Sequence, residues 1–155
     1  MLNTNSGITH KNYQMKTLFI YLSLWLLASC APKAQQGPFN PRALSRQWML
    51  TKMEGFTKEE LAKAGAFIDL TDLKKTNGKA GCNRIGFSTK AEANGHIQFS
   101  GVLSTRMYCA PFMKLEGAFI ELLKHISIYK VEGHRIRFYN AKNKLLAEAV
   151  AADWD

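Results

Sequence analysis

The chain has 155 residues, a length that fits one domain. Hydrophobic residues make up 46% and charged residues 21%; nine Phe, five Tyr and three Trp supply enough apolar bulk for a packed core, which excludes a disordered chain. The formal net charge is +9, or +7 once Lys11 and Lys16 are set aside with the leader described below, and only Lys74 and Lys75 are adjacent. Basic residues scattered in this way read as a solvated surface, and no nucleic-acid partner is expected.

The N-terminus comes first in chain order. Met15-Lys16 opens a short basic region, and Thr17 to Ala28 (TLFIYLSLWLLA) follows without a charge. Twelve such residues make a signal-peptide core and are too few to span a ~30 Å hydrocarbon layer as a helix. Leu27-Ala28-Ser29-Cys30 comes next. Small residues let the chain lie extended in a peptidase site, and the cysteine behind them offers a thiol for a diacylglyceryl group. The four residues resemble the lipobox of bacterial lipoproteins, which implies cleavage after Ser29 and lipidation of Cys30. Residues 1–29 are therefore expected to be a signal peptide, with Met15 as the true start because residues 1–14 are polar. Ala31, where Asp would retain the protein in the inner membrane of enteric bacteria, points to the outer membrane by the same resemblance. The stretch from Cys30 to residue 46 holds three of the four prolines and lacks apolar periodicity, so it is expected to be a tether.

From Trp48 the pattern becomes short strands broken by turns. Gln47 to Met53 reads as a first strand. Thr57 with Glu60 three residues on forms the signature of a capped helical turn over Thr57 to Ala64. Ala66 to Leu70 reads as a second strand, Asn77-Gly78 as a tight turn, and Lys79 to Asn83 as the start of the next strand. Asn94-Gly95 lies between Phe87–Ala91 and His96–Phe99 and predicts a hairpin. Apolar residues at 115, 119, 122, 123 and 126 mark an amphipathic helix over Phe112 to Ile126, with Gly117 as an awkward interior residue. Ser127–Val131, Arg135–Tyr139 and Leu145–Ala151 read as three closing strands. Seven or so strands with one substantial helix predict an α+β domain: an antiparallel sheet over 47–151, curled into a partly closed barrel or roll, with the helix packed across an opening.

Three stretches, in this order, resemble the META domain, the family that includes the bacterial heat-shock protein HslJ. They are Gly81-Cys82-Asn83-Arg84 with Gly86, Ser104-Thr105-Arg106-Met107-Tyr108-Cys109, and the Glu116-to-Ile126 helix followed by Tyr129 and Gly133. Trp48 and Leu50 fit the family's opening. The resemblance implies a β-rich fold in an envelope-associated, stress-linked protein, and it carries over no catalytic residues.

With Cys30 lipidated, Cys82 and Cys109 remain in an oxidising compartment. A disulfide between them would close a 28-residue loop; the alternative is two reduced thiols acting as small core hydrophobes. Asn83, Arg84, Thr105 and Arg106 are the candidate ligand or motif residues. An amide and guanidinium suit a carboxylate or phosphate, while a turn-bonding Asn and a surface Arg would be scaffold. His96, His125 and His134 lie far apart and make no zinc pattern. Phosphate-binding glycine loops and nucleophile elbows are missing as well. No catalytic residue, metal or cofactor is expected. The sequence therefore points to a lipid-anchored, monomeric, non-enzymatic envelope module with an envelope protein as a possible partner. The alternative is a carrier of a small apolar or amphiphilic ligand inside the sheet.

Overall fold

A computed structural model describes residues 41–154. The leader, Cys30 and the tether up to residue 40 lie outside the described residues. The elements are α1 (Pro41–Leu44), β1 (Gln47–Met53), α2 (Lys58–Ala64), β2 (Phe67–Asp69), β3 (Asn77–Lys79), β4 (Arg84–Ala91), β5 (Ile97–Ser104), α3 (Met113–His125), β6 (Ile128–Glu132), β7 (Arg135–Tyr139) and β8 (Leu145–Ala151).

The eight strands form one antiparallel sheet in the order β5-β4-β3-β2-β1-β8-β7-β6, curled into a half-barrel. The curl is visible in side chains. Phe99 on β5 and Phe138 on β7 belong to opposite flanks of the strand order, yet their rings lie 6.3 Å apart. The outermost strands also touch at one point. His96 bridges Ile128, Ile97 N–H donates to Ser127 O at 3.0 Å, and Tyr129 N–H donates to Gly95 O at 2.8 Å. Register shifts at Leu50/Lys52, Gly86/Ser88 and Phe138/Tyr139 supply the local bends that curvature needs.

α3 connects the two outermost strands and packs into the sheet's concave side. The stripe Leu115, Phe119, Leu122, Leu123 and Ile126 is buried, meeting a sheet interior that includes Trp48, Ile68, Ile85, Phe87, Ile136 and Phe138. Burying such aliphatic and aromatic side chains contributes about 1.5–3 kcal/mol each, enough to override the propensity cost of Gly117 in the helix. Gly117 is exposed, so its missing side chain leaves no hole in the core. α2 is set by local chemistry. Thr57 Oγ1 accepts from Glu60 N–H, Glu60 Oε2 accepts from Thr57 N–H, and Gly65 closes the helix in the left-handed conformation.

Two expectations need correction. Asn77-Gly78 is not a turn but the start of β3, and residues 80–83 form a bend before β4, not a strand. A Cβ on Gly78 would lie 2.8 Å from Phe67 O and 2.9 Å from Phe119 Cζ. The glycine is there so that the helix's central ring can press on the sheet, and no turn requires it. Second, residues 41–46, read as tether, belong to the fold. Leu44 is buried, its carbonyl accepts from Trp48 Nε1 at 3.0 Å, and Arg46 O accepts from Leu70 N–H at 2.9 Å. Proline-rich composition gave no sign of this anchoring contact.

Candidate functional site

The motif residues converge where the 80–83 bend, the end of β5 and the first turn of α3 meet. A disulfide joins Cys82 to Cys109, with Cα atoms 6.2 Å apart. Beside it, Asn83 is fully buried and its amide is fully used. Nδ2 donates to Glu116 Oε1 at 2.7 Å and to Met107 O at 2.9 Å. Oδ1 accepts from Thr105 Oγ1 and from Met107 N–H, both at 2.8 Å. Thr105 Oγ1 in turn accepts from Arg84 N–H at 3.2 Å, and Thr105 N–H donates to Arg84 O at 3.2 Å. One side chain thus takes the place of secondary structure for the loop after β5.

Glu116 is the partner that sequence reasoning missed. It is a buried carboxylate that accepts from Asn83 Nδ2, from Asn83 N–H at 3.4 Å, and from Ser104 Oγ at 3.5 Å. The signal was its place beside Leu115, one turn ahead of Phe119 on the apolar stripe. A charge there is buried, and a buried charge is tolerated only where hydrogen bonds meet it. Gly81 completes the fit: at φ 148° it passes under Phe112, whose Cβ would lie 2.6 Å from any Cβ added there.

The four candidate ligand residues therefore separate. Asn83 and Thr105 are drawn into the network, whereas the side chains of Arg84 and Arg106 are exposed and make no ion pair among the described residues. None of the four lines the cleft of about 300 Å³ that opens between α3 and the ends of β1 and β8. That cleft has Met53, Leu122 and Leu146 in its wall and Glu54, Glu121, His125 and Lys144 around them. Its charges are largely paired: Lys144 meets Glu54 at 2.7 Å, and the Lys124 hydrogen bond holds the Glu121 carboxyl below its ordinary pKa. The barrel interior is occupied by side chains, and no buried side-chain polar atom among the described residues lacks a partner.

Such an arrangement defines a class: a small, disulfide-braced, curled β domain whose signature residues knit one loop to its frame. The particular family is the META domain, whose model matches residues 42–153, and the chain belongs to it. Two NMR structures agree on the fold. The chain is similar to a protein from Burkholderia xenovorans determined by NMR (23% identity over 80% of this chain and 94% of that one, TM-score 0.56). A second NMR structure gives 22% identity over 72% and 94%, TM-score 0.55. A DUF4847 family protein from Bacteroides vulgatus gives 13% identity over 72% and 96%, TM-score 0.49. No curated protein matches the chain.

Proposed function

We propose that the protein is a lipoprotein held at the outer membrane through Cys30, and that its META domain is a non-enzymatic structural or binding module of the cell envelope, linked to stress tolerance. The observation that carries the second half is the fate of Asn83. The residue best suited to greet a ligand is buried and spends all four hydrogen-bonding positions on the protein itself. Side chains also fill the barrel, which leaves the outer surface to do the work. The leader and the lipobox-like Leu27-Ala28-Ser29-Cys30 support the anchor. Two or three acyl chains, at about 0.8 kcal/mol per buried CH₂, would hold the domain at a bilayer without help from its surface.

Radiolabelled palmitate fed to cells expressing the full chain tests the anchor. Label is expected in the wild type and absent from Cys30→Ala, with the variant leaving the membrane fraction. An unlabelled wild type, or a labelled Cys30→Ala, would refute the lipoprotein reading.

A further inference from the structure

Basic charge is concentrated in one stretch of the chain, and the fold brings three of its residues to one border. Residues 73–115 contain seven basic residues (Lys74, Lys75, Lys79, Arg84, Lys90, Arg106 and Lys114) and one acidic residue, Glu92. The rest of the chain beyond Cys30 is nearly balanced, with 12 basic and 11 acidic residues. Of the seven, only Lys90 makes an ion pair, with Glu92 at 3.5 Å. Register places Lys79 opposite Arg84, and Arg84 O holds Thr105 N–H, so Lys79, Arg84 and Arg106 border one region.

The same region carries exposed apolar side chains. Five large hydrophobic residues stand out of the described surface, and four of them fall within Leu103 to Met113: Leu103 (76% exposed), Met107 (55%), Tyr108 (84%) and Met113 (42%). Single exposed hydrophobes are ordinary, but a cluster on a rigid frame marks an interaction site. The frame is rigid here for stated reasons. The disulfide pins Cys109, Asn83 pins Thr105 and Met107, and Phe112 N–H donates to Cys109 O at 2.9 Å. A loop that only joined β5 to α3 would need none of these. Holding it in one shape before a partner arrives lowers the entropy lost on binding.

We infer that the Leu103–Met113 surface, flanked by Arg84 and Arg106, docks an acidic and apolar polypeptide segment of another protein. The unpaired cations choose an acidic occupant, and the Leu, Met and Tyr side chains ask for an apolar one. A second copy of the chain would bring like charge to the same place. The bilayer is the other candidate, but β1 runs from the chain's entry at Gln47 towards the end of the barrel where residues 80–83 bend. The pinned loop therefore lies at the opposite end of β1 from Gln47, where the described chain enters the sheet. The inference deepens the binding-module reading; palmitate labelling tests the anchor separately, so failure of one is distinguishable from failure of the other.

The test is selection of random 12-residue peptides displayed on phage against the full chain in non-ionic detergent. Enriched sequences are expected to combine at least two Asp or Glu with Leu, Phe or Trp. A labelled synthetic winner should bind in fluorescence anisotropy, weaken as salt rises, and lose at least tenfold in affinity to Arg84→Glu/Arg106→Glu and to Tyr108→Ala. Trp154→Ala, whose exposed ring lies outside this surface, should bind as the wild type does. The salt series needs no variant, so it stands even if a charge reversal disturbs folding. Winners without acidic residues, or affinity unchanged by the variants and by salt, would overturn the inference. Tighter, patch-dependent binding to vesicles rich in phosphatidylglycerol would overturn it in favour of the bilayer.

Discussion

Asn83 shows how one residue converts a motif into structure. Its amide joins three chain segments just beyond the end of the β4–β5 ladder, and its main carboxylate partner is buried with it. Asn83→Ala would leave a buried carboxylate, a hydroxyl, a backbone carbonyl and a backbone N–H short of a partner; at 1–3 kcal/mol for a buried group left unsatisfied, the loss should be about 3 kcal/mol in urea unfolding. Arg84→Ala, next in sequence but exposed, should change stability by less than about 0.5 kcal/mol. Equal effects would mean that the guanidinium has a structural partner the geometry does not give it. Tyr129 offers a pH test. Burial raises its phenol pKa above the ordinary tyrosine value. For a group whose folded pKa is raised, the stability contribution is whole below the unfolded pKa and is lost as pH rises through the folded one. Absorbance titration at 295 nm should therefore show a late-ionising phenol that Tyr129→Phe removes. At this scale the sequence was legible in kind but not in role. Asn83, Thr105 and the two cysteines stood out, whereas Glu116 did not, because the partners that permit its burial lie up to 33 residues away.

At the scale of elements, local signals worked where local physics decides. The Thr57–Glu60 capping pair, the Asn94-Gly95 hairpin and the stripe of α3 are each determined by neighbours in sequence, and each is present. They failed where a distant element decides. Asn77-Gly78 has turn chemistry, yet Phe119 of α3 requires the glycine's open face and draws the pair into β3. Gly78→Ala should therefore destabilise by about 1–3 kcal/mol through overpacking, since a backbone carbonyl as well as a ring stands in the way. Pairing it with Phe119→Leu should recover part of that loss in a double-mutant cycle. Additive effects would show that the ring and the glycine do not meet.

For the whole molecule, the antiparallel α+β architecture and its partial closure were readable from strand count, hairpin signals and a single long helix. The gathering of charge was not, because Lys79, Arg84 and Arg106 come together only when β3, β4 and the loop after β5 are laid side by side. The disulfide spans this arrangement, and closing a 28-residue loop is worth about 3.5 kcal/mol on the chain-entropy model. Reduction, or Cys82→Ala/Cys109→Ala, should lower the denaturant midpoint accordingly. The central claim is that the family's signature residues are scaffold and that they hold one exposed loop ready for a partner. Hydrogen–deuterium exchange on the oxidised full chain in detergent tests this most directly. Segment 105–112 should exchange slowly despite its exposure, and should lose that protection in Asn83→Ala while β1 and β8 keep theirs. Free exchange of 105–112 in the wild type, or the same protection in the variant, would contradict the account.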